Sequence, residues 1–372
     1  MGILVARIVL TGGPCAGKTT ALSRIDQKLT EMGYRVFIIP ESATEAINGG
    51  IRPFGNLSLE NSFFQKTLLH YQIYKENMYE SVIPNISKNQ KCIIIQDRGT
   101  LDGKAYISKN EFNKILKEDD LKEIELMDNY DMVIHMITAA DGKPEFYTTA
   151  NNTARTESVE QAIDLDRRTK NAWIGHSNLK IIDNRDSFAD KIDSVLDCIY
   201  KLLGDPVPTR VQRKFLINAS NFDFRFLENY GLVSMSIEQS YLNSINDNVE
   251  RRLRKRIYYG DNDYYFTEQI KRSNGMSDVL TNKRISKDEY NKILNESSDI
   301  TSVIKIRHSF MINNQYFKLD VFNNEMMLLE VEPTYQNDQI IVPNFIEVLE
   351  DVTNNPEYQN INISKKTKIL KK

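Results

Sequence analysis

Residues 12 to 19 read GGPCAGKT, a GxxxxGK[ST] spacing set between the apolar run ILVARIVL and the helix-like TALSRIDQKL. A strand, a glycine-rich turn and a helix in that order form a phosphate-binding loop. Gly12, Gly13 and Gly17 allow the tight turn, and Pro14, Cys15 and Ala16 complete a cradle whose N–H groups face phosphate oxygens. The helix N-terminus adds a favourable dipole, with Lys18, Thr19 and Thr20 in its first turn. Lys18 is placed to reach the β- and γ-phosphates, and the Thr19 hydroxyl to ligate Mg²⁺ in an octahedral oxygen shell.

Polar residues that end apolar runs are the next candidates, because ligands of open parallel sheets sit outside the carboxyl ends of the strands. Glu41, in IIPES, could take the proton of an attacking hydroxyl or orient that acceptor; a helix N-cap is the plainer reading. Asp97, in IIIQDRG, could hold Mg²⁺ through water or serve as the base. Arg98 beside it could pair with an acceptor phosphate or carboxylate, unless the two form an ordinary surface pair. The choice between Glu41 and Asp97 as base stays open. The polar stretch 151 to 173 carries Arg155, Arg167 and Arg168 and looks like a lid, whose arginines would neutralise charge on a transferring phosphoryl group. Asp164 and Asp166 could instead satisfy some of them within one helix, and Trp173 and His176 read as packing or capping.

The elements that must position these groups alternate. RIVL, YRVFIIPES, CIIIQDR, MVIHMIT and LKIIDN are strand-like, with helical patterns between them, which predicts a parallel α/β sheet. An amphipathic helix ends at Gly204 and DPVPT follows, so the boundary is placed there: residues 1–204 form one domain and 205–372 another. The second region turns to charged strands, RRLRKRIYY, DYYFTEQIKR, VIKIRHSF, QYFKLDVF and MMLLEVE, predicting a mainly antiparallel sheet or barrel. The terminal ISKKTKILKK reads as a frayed, solvated tail.

At 372 residues the chain is long for one core, and its net charge of −3 argues against a general nucleic-acid binder. Three widely spaced cysteines, Cys15, Cys92 and Cys198, give neither a disulfide framework nor a zinc pattern, so a reducing, cytoplasmic setting is expected. No apolar run reaches the length of a membrane span.

GGPCAGKTT, PES, IIQDRGTLDGKAY and ARTESVEQAIDLDRRTKNAWIGHSNLKIIDN together resemble the AAA-like P-loop domain of the TRPL translocation defect protein family, over residues 4 to 204. The resemblance implies a small kinase-like fold binding ATP or GTP with Mg²⁺, with Asp97 and Arg98 at a DRG position and Arg155 and Arg167 in the lid. Thr44, after PESA, stands where that pattern often carries arginine, which leaves acceptor recognition open.

RKFLI, IEQSYL, RRLRKR, IKIR, LDVF and LEVE resemble the CYTH, or triphosphate tunnel, domain that the same family carries at its C-terminus. Side chains alternate across a strand, so Arg252, Arg254 and Arg256 share a face, as do Lys305 with Arg307, Lys318 with Asp320, and Glu330 with Glu332. In a closed barrel these faces could line a tunnel; on an open sheet they could meet solvent. With Lys214 and Lys271 they make the candidate polyanion-binding set, and Glu330 and Glu332 are the candidate cation ligands. Members that hydrolyse triphosphates begin with ExExK; aligned on Lys214, this chain has Arg210 and Gln212 in place of the two glutamates. A phosphoinositide head group, polyphosphate or nucleotide could still bind without being cut. Three readings follow: a phosphotransferase, a nucleotide-regulated binding module, and a triphosphatase in the barrel.

Overall fold

The computed structural model describes residues 2–56, 58–86, 89–144, 158–184, 187–204, 212–220, 222–243, 248–271, 277–322, 326–335 and 338–370, with side chains of 271–281 and 367–370 left aside. The chain divides into two compact units, Met1–Arg210 with Thr334–Asp338, and Val211–Pro333 with Gln339–Lys372.

The first unit runs β1 (Ile3–Gly12), α1 (Lys18–Glu31), β2 (Arg35–Ile39), α2 (Ser42–Asn48), α3 (Asn61–Val82), β3 (Lys91–Asp97), α4 (Lys109–Glu118), α5 (Glu123–Met127), β4 (Met132–Met136), α6 (Val159–Asn171), β5 (Leu179–Ile182) and α7 (Phe188–Leu203). Its strands form one parallel sheet, ordered β2-β3-β1-β4-β5, as the alternating pattern predicts. The apolar runs are continuous because both faces are covered. On one face Ile8, Leu10, Ile93, Ile95 and Ile134 pack with Ile25 and Leu29 of α1 and Ile192, Val195 and Ile199 of α7. On the other, Ile39, Cys92 and Ile94 meet Ile83 and Tyr79. Parallel pairing brings every strand's carboxyl end to one edge, and β1, which feeds the glycine loop, is central. Ser108, Ser158 and Ser187 start α4, α6 and α7 with capping boxes, and Gly204 in the left-handed region ends α7.

The second unit runs β6 (Arg213–Ile217), α8 (Arg225–Glu228), β7 (Val233–Leu242), β8 (Val249–Tyr258), β9 (Asp261–Lys271), β10 (Ser277–Arg284), α9 (Lys287–Glu296), β11 (Thr301–Ile312), β12 (Gln315–Phe322), β13 (Met327–Val331), β14 (Val348–Asp351) and α10 (Asn360–Leu370). Nine strands form one antiparallel sheet, ordered β10-β9-β8-β7-β11-β12-β13-β6-β14. One face is apolar: Phe215, Phe310, Phe317, Leu319 and Leu329 pack together. The opposite face of the same strands carries Lys214, Lys305, Arg307, Asp320 and Glu330. Arg256, Lys305 and Asp320 are only 3%, 3% and 1% exposed, so this charged face is not a solvated surface.

The lysine-rich end corrects an expectation. Residues read as a frayed tail belong to α10, where Ile363 is buried beside Tyr241, Val303 and Phe322. The Ser364 hydroxyl pairs with that of Thr301 at 2.8 Å. Apolar residues spaced through Tyr358, Ile361 and Ile363 anchor the helix, while Lys365 and Lys366 remain outside.

Candidate functional site

The glycine loop turns from β1 into α1, with Cys15 at φ 56° and Gly17 at φ 91°. Gly12, Gly13, Pro14 and Ala16 are buried, whereas the Thr19 and Thr20 side chains at the start of α1 are exposed. A side chain at Gly13 would place its Cβ 2.7 Å from Asp166 Oδ1, so only glycine admits this approach. That carboxylate secures the loop. Asp166 Oδ1 accepts from Gly13 N at 2.8 Å and Thr138 N at 2.9 Å, and Oδ2 lies 3.1 Å from His135 Nε2. Burial alone would raise its pKa, but His135 and these bonds hold it below the usual carboxylate value.

Asp166 is thus an anchor that the sequence reading considered only as a partner for arginine. The available signal was helical phase: Ala162, Leu165, Asp166 and Thr169 form one buried stripe, and an acid on such a stripe must have a polar job. Replacing Asp166 by alanine strands two buried amides. We expect a loss of roughly 2–5 kcal/mol in denaturant unfolding, largely recovered by Asp166→Asn, which keeps an acceptor. A loss under about 0.5 kcal/mol would contradict the anchoring role.

Lys18 lies 3.4 Å from the carbonyl oxygens of both Gly12 and Gly13 and has no carboxylate in contact among the described residues. Burial and the Arg98 guanidinium lower its pKa, with Asp97, Glu41 and Asp102 opposing them. Four charged groups surround it: Glu41, Asp97, Arg98 and Asp102. Glu41 occupies the N-cap position of α2, yet its side chain caps nothing. It accepts instead from the Thr44 hydroxyl at 2.6 Å and from Arg98 Nε at 3.1 Å. Burial favours its neutral form, but Arg98, Lys18 and the Thr44 bond prevail and bring its pKa to about 2.

Arg98 has a left-handed backbone, φ 73°, fixed by its N–H on Leu10 O at 3.0 Å and by Gln72 Nε2 on its own carbonyl at 2.6 Å. Burial disfavours its charge, but Tyr106, Glu41, Asp102 and Asp97 more than compensate and raise its pKa. Its Nη1 is buried without a hydrogen bond, 3.7 Å from Asp102 Oδ2. Asp97, ending β3, also keeps a buried oxygen, Oδ1, without a hydrogen bond. Burial, with Glu41 and Asp102, pushes its pKa up against the pull of Lys18 and Arg98. An orphaned carboxylate oxygen near the loop lysine is a group that a divalent cation could satisfy.

Asp102 is the second residue that sequence reasoning missed. It accepts from the Thr11 hydroxyl and from Trp173 Nε1, each at 2.6 Å, and so braces the loop, the Arg98 turn and the segment after α6. Nothing periodic marks it, because it opens a single short 3₁₀ turn, Asp102–Ala105. Trp173 is fully buried, as a packing role requires, with its N–H satisfied. Of the lid candidates, Arg155 lies outside the described residues, while the exposed Arg167 and Arg168 both pair with Asp164, at 2.6 and 2.9 Å.

In the second unit, Asp320 accepts from Lys305 Nζ at 2.5 Å and from Arg307 Nε and Nη2, each at 2.7 Å. Glu330 takes Arg307 at 3.0 Å and Lys214 at 2.9 Å. Burial opposes both carboxylates, but these cations hold each pKa below its usual value, and burial pushes Lys305 down. Arg256 forks onto Asp263 at 2.5 and 3.1 Å, and Arg252 lies 3.4 Å from Glu250. Arg254 has no salt bridge among the described residues; its Nε is buried without a partner, and its guanidinium covers Tyr265 at 5.0 Å. Lys318 lies over Tyr316 at 5.3 Å, Glu332 follows β13, and the Lys271 side chain lies outside the described residues. Among the described residues no three His, Cys, Asp or Glu side chains gather as a metal site.

No curated protein matches the chain. Among solved structures it is similar to the inorganic triphosphatase NE1496, at 25% identity over 42% of this chain and 95% of that one, with a TM-score of 0.32. It is also similar to the PH1819 protein from Pyrococcus horikoshii OT3, at 14% identity over 34% of this chain and 81% of that one, with a TM-score of 0.26. The loop, Glu41, Asp97, Arg98, Asp102 and Asp166 all fall within residues 7–191, which match the model of a family described as an AAA domain.

Proposed function

We propose that residues 1–204 transfer the γ-phosphoryl group of ATP or GTP, with Mg²⁺, to a small-molecule or phosphorylated acceptor, and that residues 205–372 bind a polyanion. The observation that carries the first part is the convergence of Lys18, Asp97, Arg98 and Glu41 at the loop, where, among the described residues, Lys18 has no acid in contact and one oxygen of Asp97 has no partner. The loop N–H groups and Lys18 would hold the β- and γ-phosphates, and Arg98 would grip the acceptor. The acceptor oxygen forms a bond to γ-phosphorus as the bond to the β-bridging oxygen breaks; nucleoside diphosphate leaves and the acceptor proton passes to Glu41 or Asp97. Thr19 and Asp97 would hold Mg²⁺, which would supply neutralisation of the phosphate charge. None of the three cysteines is in a disulfide among the described residues, which fits a reducing, cytoplasmic setting, and no described helix is long and apolar enough to cross a membrane.

The test is a ³¹P NMR time course with Mg²⁺, ATP or GTP, and a pool of nucleosides, nucleotides, sugars and inositol phosphates. A new phosphoester that needs both acceptor and Lys18 supports the reading; nucleotide left intact or only slowly hydrolysed sinks it. That second outcome favours the regulated binding module, for which the Arg98 pairing that occupies Glu41 speaks. The cationic face of the second unit would then recognise phosphoinositides, polyphosphate or a partner, through Lys214, Arg252, Arg254, Arg256, Lys271, Lys305, Arg307 and Lys318. Triphosphate hydrolysis there would have to free Glu330 from two cations, with Glu332 as a further ligand.

The pH profile separates the two bases. Arg98 and Lys18 bring the Glu41 pKa down to about 2, which keeps it ionised throughout the working range, whereas burial raises that of Asp97. Activity should therefore rise with pH as Asp97 ionises. We expect this acid limb of kcat/KM to survive Glu41→Gln and to vanish from the residual activity of Asp97→Asn; the opposite pattern would assign the limb to Glu41.

A further inference from the structure

Phe188 is 51% exposed, although it opens α7 on the stripe that buries Ile192, Val195 and Ile199. Positions 188, 192, 195 and 199 lie on one helical face, so the ring continues the apolar stripe past the end of the core. There it meets the glycine loop. A Cβ on Gly17 would lie 2.5 Å from Phe188 Cε2 and 2.8 Å from Cζ, so the ring edge rests on the residue immediately before Lys18. The placement is fixed from below: Ser187 caps α7 by accepting from Asp190 N at 3.2 Å, and Asp190 accepts from Ser187 N at 3.2 Å.

The loops on either side are locked to each other. Asn184 Nδ2 donates to Thr138 O at 2.7 Å and Asp141 O at 2.6 Å, joining the end of β5 to the turn after β4. Lys191 Nζ donates to Ile137 O and to Asn184 Oδ1, each at 2.6 Å. A half-exposed aromatic ring therefore sits on a rigid shelf at the carboxyl edge of the sheet, touching the phosphate loop. A nucleotide whose phosphates are held by the loop places its base within one nucleotide's reach of Gly17.

We infer that Phe188 is the stacking platform for the base of the bound nucleotide, and so a determinant of nucleotide over bare polyphosphate. The inference rests on the nucleotide reading above. Every base has a π-face, so the platform selects a nucleoside without choosing adenine or guanine.

The test titrates the full chain with Mg²⁺-ATP and with Mg²⁺-tripolyphosphate by calorimetry, counting only binding that Lys18→Ala removes, since the second unit can take polyanions. Phe188→Leu keeps an apolar side chain and loses the π-face; it should weaken ATP about tenfold while leaving tripolyphosphate within about twofold, and Phe188→Trp should restore ATP binding. Equal weakening of both ligands, or no change in either, overturns the platform and leaves the nucleotide reading standing. Absence of any Lys18-dependent ATP binding in the unaltered protein removes both.

Discussion

Replacing Lys18 by alanine should lower phosphoryl transfer by roughly two to three orders of magnitude, the scale for deleting one preorganised donor to developing charge. The fold should survive unharmed. Among the described residues the Lys18 ammonium reaches only two carbonyl oxygens, at 3.4 Å, and burial with the Arg98 charge outweighs the attraction of Asp97, Glu41 and Asp102, so its charge is a net cost to the ligand-free fold. Removing a group with a lowered lysine pKa relieves a folding penalty that grows as pH falls below the ordinary value of 10.5. Thermal unfolding of Lys18→Ala is therefore expected to match or exceed that of the parent at neutral pH while turnover collapses. Transfer that persists at the parental rate would remove the loop from the reaction; a large drop in stability would show that Lys18 has a structural partner.

Asp320→Ala should do the reverse, with a large effect on folding and none on the loop. Its carboxylate is the common acceptor for Lys305 and Arg307, and both cations are left in the interior when it is removed. Breaking a buried pair in this way costs about 3–5 kcal/mol, which corresponds to a fall of roughly 10 °C in the melting temperature of a unit this size. The pH dependence has a fixed sign. The folded-state pKa of Asp320 is depressed below its usual 3.8, so the stabilisation is complete above that value and is lost as pH falls through the folded pKa. Scanning calorimetry of the variant and the parent measures both effects. A shift under about 2 °C would mean that water or Glu330 takes over the two cations.

Much of the first unit could be read directly because a parallel strand buried on both faces leaves an unbroken apolar run, and each such run here ends in a polar residue at one sheet edge. Glu41, Asp97 and Arg98 are found by that rule, and Lys18 by the GxxxxGK[ST] spacing. Asp166 and Asp164 show where it stops. Two residues apart on one helix, they face about 200° away from each other, so one is buried against the loop and the other pairs with arginines in solvent. Choosing between them requires knowing which face of α6 packs inward. In the second unit alternation reveals which charges share a face, and burial of Lys305, Asp320 and Glu330 settles which side that face is on. The edge strand β14 has four exposed residues and no alternation to reveal it. α10 hides because its lysines and asparagines read as solvated while a few apolar side chains decide its position.

One carboxylate, that of Asp166, holds the backbone of the glycine loop, the backbone after β4 and a histidine within β4. α6 and the loop are consequently joined through one side chain, so a displacement of α6 that carries Asp166 with it acts on all three bonds. Whatever tightens the loop must also draw on α6, and by thermodynamic reciprocity whatever displaces α6 must loosen the grip of the loop to the same extent.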